Sequence, residues 1–478
     1  LAPREYAAFR WWTTVTDYLH DASINAGIPV FWLRNGGADY LDIGGQVMFQ
    51  TRTTDTRRFN YTYNKQLGGD ADFRQNELGQ DPDDLFSNEN IGSGTDEFIE
   101  FSEQTAATDN YLAEHRIVSG YLAGDFLLFD RFRVNLGARV EHSRQEVLTN
   151  DLFSDAEPEP SVLETTDILP ALNVTWPLSE RSQVRLGGAI TVNRPDLREL
   201  SEARKFGPPG TGVLIGNPDL KRAMIYAGDI RYEAYLAERE SMSIGAFYKY
   251  FVDPIEVVQL NGAGYPRNFV NVPSAQNIGV ELEWQIQLRF VSDLLRRVML
   301  GLHFDSLERE RRWRRGIGSV AGVFRDLRTT GNVSLIWSRI SYGDDNLVSP
   351  TGAAIDNTST KRPLQGQSPW VINASLGYKN SVSWSQDRPM YTSIYLNYNV
   401  FGPRITVLGT DNVDDQYEMP FHQLDLIFKQ QFNYIFSLSI KANNLLDLPA
   451  VERIGQEGEI VQEYRKGRSV SLSVTFDL

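Results

Sequence analysis

The chain holds no cysteine, so any metal or nucleophilic chemistry must come from its five histidines, His20, His115, His142, His303 and His422, or from carboxylates. The histidines are scattered, and none forms the HExxH-type pair that sets two ligands on one helix face. Missing cysteine also removes disulfides, thiol nucleophiles and Cys-ligated metals. The stretch GPPGTG, Gly207 to Gly212, has the glycines of a phosphate loop without its Lys and Ser/Thr, and it reads as a turn. No catalytic constellation, metal set or cofactor motif emerges.

What remains is charge with geometry. Asp229, Arg231 and Glu233 alternate in sign at every second position, a row on one face of a strand that could dock an inner domain or form a ligand track. The segment RERRWRR sets Arg309, Arg311, Arg312, Arg314 and Arg315 around Trp313. Guanidinium forks match carboxylates and phosphates, so this segment reads either as a solvated charge run or as a grip for an anionic ligand or lipopolysaccharide phosphates. The stretch from Asn60 to Gln104 carries Asp70, Asp72, Asp81, Asp83, Asp84, Asp96 and Glu97, which reads as a solvated acidic run or a surface for cations or a basic partner. A net charge of −15 disfavours nucleic acid, which needs a basic surface to displace counterions.

The elements that must position these groups are strands. Leu41, Ile43, Gly45, Val47 and Phe49 oppose Asp42, Gly44, Gln46, Gln50 and Arg52, and the same alternation runs from Phe132 to Glu141, Val184 to Asn193, Tyr226 to Leu236, Val280 to Gln287 and Ser469 to Phe476. Sandwich and propeller strands average about 5 or 6 residues. Tyr111 to Leu128 and Phe132 to Val147 are far longer, with only Phe129, Asp130 and Arg131 between them.

Connections alternate between short and long. Short ones are expected at Phe129 to Arg131, Leu178 to Ser182, Ala237 to Ser241, Arg289 to Arg297, Lys379 to Arg388 and Gln431 to Asn433. Long polar ones are expected near 58–108, 148–165, 195–221, 253–274, 308–361, 403–416 and 447–462. Short periplasmic turns and long external loops characterise transmembrane barrels. The 21 Tyr, 25 Phe and 9 Trp support this, since aromatic girdles mark the bilayer boundary. A periplasmic belt is expected from Trp32, Tyr40, Phe126, Phe129, Phe132, Trp176, Tyr235, Trp284, Phe290, Tyr378, Trp384, Tyr391, Phe432, Tyr434 and Phe436. Arg133, Arg139, Arg185 and Arg231 should face the lumen, because a lipid-facing arginine costs about 2–4 kcal/mol at the midplane.

Nine stretches, in this order, resemble the C-terminal two-thirds of TonB-dependent outer-membrane receptors: TRTTDTRRFNY (from Thr51), DLFSNENIG (Asp84), GARVEHSRQ (Gly137), NRPDLREL (Asn193), GNPDLKRA (Gly216), AFYKYFVDPIE (Ala246), RPLQGQSPWVIN (Arg362), KANNLLDLP (Lys441) and YRKGRSVSLSVTF (Tyr464). The resemblance implies an all-β transmembrane antiparallel up-and-down barrel, here about 15 strands of an expected 22 or so. It further implies a plug, through which TonB would act, and early strands with no counterpart in these residues. The start, LAPREYAAFRWW, lacks a signal peptide's basic and apolar parts, so the chain reads as mature, trimmed or beginning partway.

The implied function is active import of a scarce small-molecule or peptide ligand: siderophore-like, peptide, oligosaccharide or cobalamin-type. The implied surroundings are outer-membrane lipid and lipopolysaccharide, with surface or periplasmic partner proteins. The alternatives are a scaffold barrel for surface proteins and a passive porin-like channel.

Overall fold

A computed structural model describes residues 9–30, 39–63, 81, 84, 86–88, 90–92, 99–149, 159–206, 213–260, 266–301, 311, 316, 320–341, 362–383, 389–409, 414–432 and 435–476. Its main element is an antiparallel meander of long strands. In order these are β1 (Phe9–Pro29), β2 (Tyr40–Tyr63), β3 (Tyr111–Leu128), β4 (Phe132–Thr149), β5 (Ser161–Ser179), β6 (Ser182–Asn193), β7 (Ala223–Ala237) and β8 (Glu240–Val252). They continue as β9 (Ser274–Gln287), β10 (Leu327–Ser341), β11 (Trp370–Ser383), β12 (Pro389–Phe401), β13 (Gln423–Gln431), β14 (Phe436–Asn443) and β15 (Ser469–Phe476). Each pairs with the next in sequence.

The register explains why alternation was so regular. One ladder runs Leu186, Ile230, Ala246, Val280, Leu335, Trp370 across β6 to β11. A ladder three positions along, on the opposite face, runs Gln183, Glu233, Ser243, Glu283, Asn332, Asn373, Asn399, Gln423 across β6 to β13. A one-residue slip would exchange the two faces, so an apolar solvent on one side and a polar interior on the other fix the pairing. The apolar face is bare: Ile168, Ile230 and Leu335 are each at least half exposed. No helix among the described residues is long and apolar enough to cross a membrane.

Among the described residues β1 pairs only with β2 and β15 only with β14, so the wall has two free edges rather than a closed seam. Buried apolar cores lie at the long-loop end instead. One gathers Tyr111, Ala113, Val147, Leu197, Leu200, Ala203 and Leu220; the other gathers Val258, Leu260, Val270, Val272, Ala275, Ile340, Ile405 and Leu408. Two small sheets cap this end. The first joins Arg204–Phe206, Val213–Ile215, Arg267–Asn271 and Ile255–Gln259; the second joins Arg404–Val407, Gln416–Glu418, Ala450–Ile454 and Ile460–Tyr464.

One region departs from the sequence reading. Arg289 to Arg297 is no tight turn but part of a helix, α1 (Arg289–Gly301), and β10 passes through the expected loop 308–361. The apolar residues Phe290, Leu294, Leu295 and Val298 have helical spacing, which competes with strand alternation and wins here. β9 ends and β10 begins at the short-turn rim, where Gln287 pairs with Arg328 and the Leu288 amide donates to the Leu327 carbonyl at 2.9 Å. The described ends of this connection, 288–301 and 320–326, therefore meet the wall on the short-turn side; of the arginine-rich segment, expected in an external loop, only Arg311 is among the described residues.

Candidate functional site

The polar face carries its charges in pairs. Arg133 meets Asp125 at 2.6 Å, Arg139 bonds Glu141 at 2.9 Å and Gln46 at 2.8 Å, and Arg185 lies 3.3 Å from Glu233. Arg231 bonds Glu283 across two strands and lies 3.3 Å from Glu233. All four arginines expected to avoid lipid are on this face. The row Asp229, Arg231, Glu233 lies on β7, where Asp229 and Arg231 line a shallow concavity of about 360 Å³ with Lys249, Glu281 and Glu283. The Asp229 carboxylate sits over Gly187, where a Cβ would come within 2.4 Å of it.

A second network binds the loops to the outer rim. Arg194, just beyond β6, bonds Glu141 and, at 2.9 Å, Asp167; Arg222, just before β7, takes the other Asp167 oxygen at 2.5 Å. Arg52 of β2 bridges Asp17 at 2.8 Å and Asp196 at 3.1 Å. These contacts join the stretches beginning at Thr51, Gly137, Asn193 and Gly216. Farther round the cap, Glu256 and Arg362 form a buried pair at 3.0 Å, joining the stretches beginning at Ala246 and Arg362. Gln365 stitches the same junction, accepting from the Val257 amide at 3.1 Å and donating to the Thr406 carbonyl at 2.6 Å.

Between the first core and the lumen face lies a cavity of about 340 Å³ lined by Trp11, Tyr111, Arg58, Arg198, Arg204 and Lys205, among others. Trp11, Arg58 and Tyr111 project from β1, β2 and β3 on the polar parity of the wall. Arg198 is set by the turn after Pro195, where the Asp196 side chain accepts from the Arg198 amide and the Glu199 carboxylate accepts from the Asp196 amide, each at 2.9 Å. Burial lowers the Arg198 pKa, and the charge of Arg198 is the main cause of the lowered Lys205 pKa. Asp109 offsets Arg58 from 3.5 Å. Positive charge pressed together beside two aromatic faces is a setting that an incoming anion relieves.

Of the other candidates, Arg311 is helical and exposed, while Arg309, Arg312, Trp313, Arg314 and Arg315 lie outside the described residues. So do Gly207 to Gly212, His303, Asp70, Asp72, Asp83, Asp96, Glu97, Trp32, Trp384 and Tyr434. Asp81 and Asp84 are exposed. His115 contacts Ser143 at 3.0 Å and His422 contacts Tyr398 at 2.6 Å, both ordinary polar partnerships. Phe129 and Phe432 are exposed at the short-turn end; Tyr40 and Tyr235 are exposed there too but on the polar face, where the Tyr235 hydroxyl donates to Glu233 at 2.7 Å, and Phe290 instead belongs to α1. Sequence reading missed the cationic cavity, although Arg198 lies inside a stretch already singled out. Only the fold brings it to Lys205, Trp11 and Tyr111.

A wall greasy outside, polar inside and capped by loops at one end defines a transmembrane β-barrel receptor. The chain belongs to the TonB-dependent receptor-like β-barrel family, whose model matches residues 4–445. That family resides in the outer membrane and transports rather than catalyses. Similar solved structures include the siderophore receptor PiuA from Acinetobacter baumannii (TM-score 0.57, 12% identity, 98% of this chain and 56% of that one). The copper transporter OprC gives 0.56, 15%, 97% and 57%, and the ferric yersiniabactin uptake receptor FyuA from Yersinia pestis gives 0.54, 12%, 98% and 55%. At such identities the likeness speaks to fold, and the chain spans little more than half the length of these proteins. Comparison with curated proteins found no match.

Proposed function

We propose that these residues form the wall and outer mouth of an importer for an anionic, aromatic metal chelate of the siderophore class. The observation that carries this reading is the cavity of Arg58, Arg198, Arg204 and Lys205 beside Trp11 and Tyr111, on the lumen side of the loop end. Cationic groups supply long-range attraction, and the aromatic faces suit planar ring ligands. Neutral oligosaccharide or cobalamin-type cargo would make no use of these cationic groups. In this reading the free edges of β1 and β15 are bridged by further strands, and a plug within the wall transmits force from TonB. The row Asp229, Arg231, Glu233 then serves as polar wall against that plug.

Binding can be followed through Trp11. A ferric tris-catecholate titrated into the full-length protein purified from outer membranes should quench tryptophan fluorescence saturably. Arg198→Gln with Lys205→Gln should weaken binding by roughly tenfold or more, as lost charge-assisted hydrogen bonds of about 1.5–3 kcal/mol would. Equal affinity for a neutral ligand of similar size, or unchanged binding in the double variant, would reject the reading.

A further inference from the structure

The connection from β9 to β10 is the longest on the short-turn side, and its helix α1 has a face that the barrel does not use. Successive residues turn by about 100°. Ser292 is buried and Val291 and Leu295 are half-buried, so this arc packs on the body of the protein. Phe290, Leu294 and Val298, one per turn, form a second apolar strip that is 61%, 59% and 53% exposed. Arg297 borders it on one side, and Arg289 and Arg296 lie farther round on the opposite face, all exposed, against a single acidic residue, Asp293.

We infer that α1 lies in the periplasmic leaflet of the outer membrane, with Phe290, Leu294 and Val298 among the acyl chains and the three arginines on anionic phospholipid headgroups. Three observations converge. The helix is anchored at the bilayer rim, since the Leu288 amide is bonded to the first residue of β10 and Trp284 lies just before it on the lipid-facing parity of β9. The strip is narrow and faces away from a polar side that carries the three arginines, as in helices that rest in an interface rather than span it. Finally, Val320 and Val323 of the helical residues 320–326 are also exposed where the chain returns to the same rim. A soluble protein surface would be expected to bury such a strip, whereas lipid continuous with the barrel's own belt covers it without a further partner. The inference rests on the membrane placement of the wall and not on the cargo.

The absence of cysteine allows single labels. The full-length protein carrying Leu294→Cys or Asp293→Cys, each labelled with an environment-sensitive fluorophore, is reconstituted into vesicles of phosphatidylethanolamine and phosphatidylglycerol, with and without acyl-chain quencher lipids. Circular dichroism checks that strand content is unchanged. Quencher lipids should reduce emission at position 294 about twofold or more while leaving position 293 nearly unaffected, as an interfacial helix with one buried strip requires. Combining Arg289→Gln, Arg296→Gln and Arg297→Gln, or replacing phosphatidylglycerol by phosphatidylcholine, should diminish the effect. Emission unquenched by lipid and open to aqueous iodide would place the strip in water and overturn the proposal. A label shielded from iodide yet unquenched by lipid would show a protein cover and overturn it equally. Quenching that ignores both the arginine changes and the lipid charge would overturn the headgroup assignment.

Discussion

Arg194 and Asp167 are bonded at 2.9 Å at the outer rim of the wall, with the carboxylate fully buried and shared with Arg222. Removing Arg194 leaves this buried carboxylate with Arg222 alone, which should cost less than the roughly 3–5 kcal/mol of a fully broken buried pair. Arg194→Ala also strips Glu141 of its strongest contact. The variant is expected to unfold at a clearly lower temperature in detergent, with limited proteolysis opening residues 194–203 first. An unchanged melting profile would mean that the loop is not held by this pair.

Arg231 gives the contrasting case. Its partners Glu283 and Glu233 lie on the lumen wall, and both Arg231 and Glu283 keep a third or more of their side-chain surface exposed. Solvent screens such pairs, so Arg231→Gln should cost less than about 1 kcal/mol. Thermal melts of the two arginine variants side by side test whether burial, rather than pairing as such, sets the cost.

Gly216 sits under the carbonyls of the 194–203 turn. A Cβ there would lie 1.8 Å from the Ser201 oxygen and 2.7 Å from that of Glu199, whose carbonyl also accepts from the Asn217 amide at 2.6 Å. Backbone cannot swing aside like a side chain. Gly216→Ala is expected to destabilise by about 1–3 kcal/mol, the usual range for forced overpacking. Because the turn carries Arg198, ligand affinity should fall with stability, measured by fluorescence titration and melting of the same sample.

The buried pair Glu256 and Arg362 sets a pH dependence. Burial raises the Glu256 carboxyl above its ordinary 4.5, outweighing the opposing pull of Arg362. The folded cap therefore keeps this proton to higher pH than the unfolded chain does. The stabilising contribution is fullest below 4.5 and declines as pH rises through the folded-state value. The difference in melting temperature between the native protein and Glu256→Gln should thus shift in favour of the native protein on acidification from pH 7. A shift in the opposite direction would mean that the pairing with Arg362 dominates burial.

The wall was legible in the sequence because lipid on one side and a polar lumen on the other demand a period of two, and Leu41 to Arg52 or Val184 to Asn193 show it without interruption. The expected count of about 15 crossings agrees with the meander from β1 to β15. α1 was not legible, since its short run was read against an expectation of turns. The contacts of Asp167 and Glu256 were hidden for another reason. Their partners lie 27, 55 and 106 positions away, distances that only register and loop folding can close.

The central claim is import through this wall, and accumulation of an iron-labelled catecholate chelate in a strain expressing the full-length gene, beside its deletion strain, tests it most directly. Uptake should require the gene and TonB, stop when the proton-motive force is collapsed, and decline in Arg198→Gln with Lys205→Gln. Uptake that persists without TonB and without the proton-motive force would indicate a passive channel, and the absence of any gene-dependent accumulation would contradict the assigned cargo.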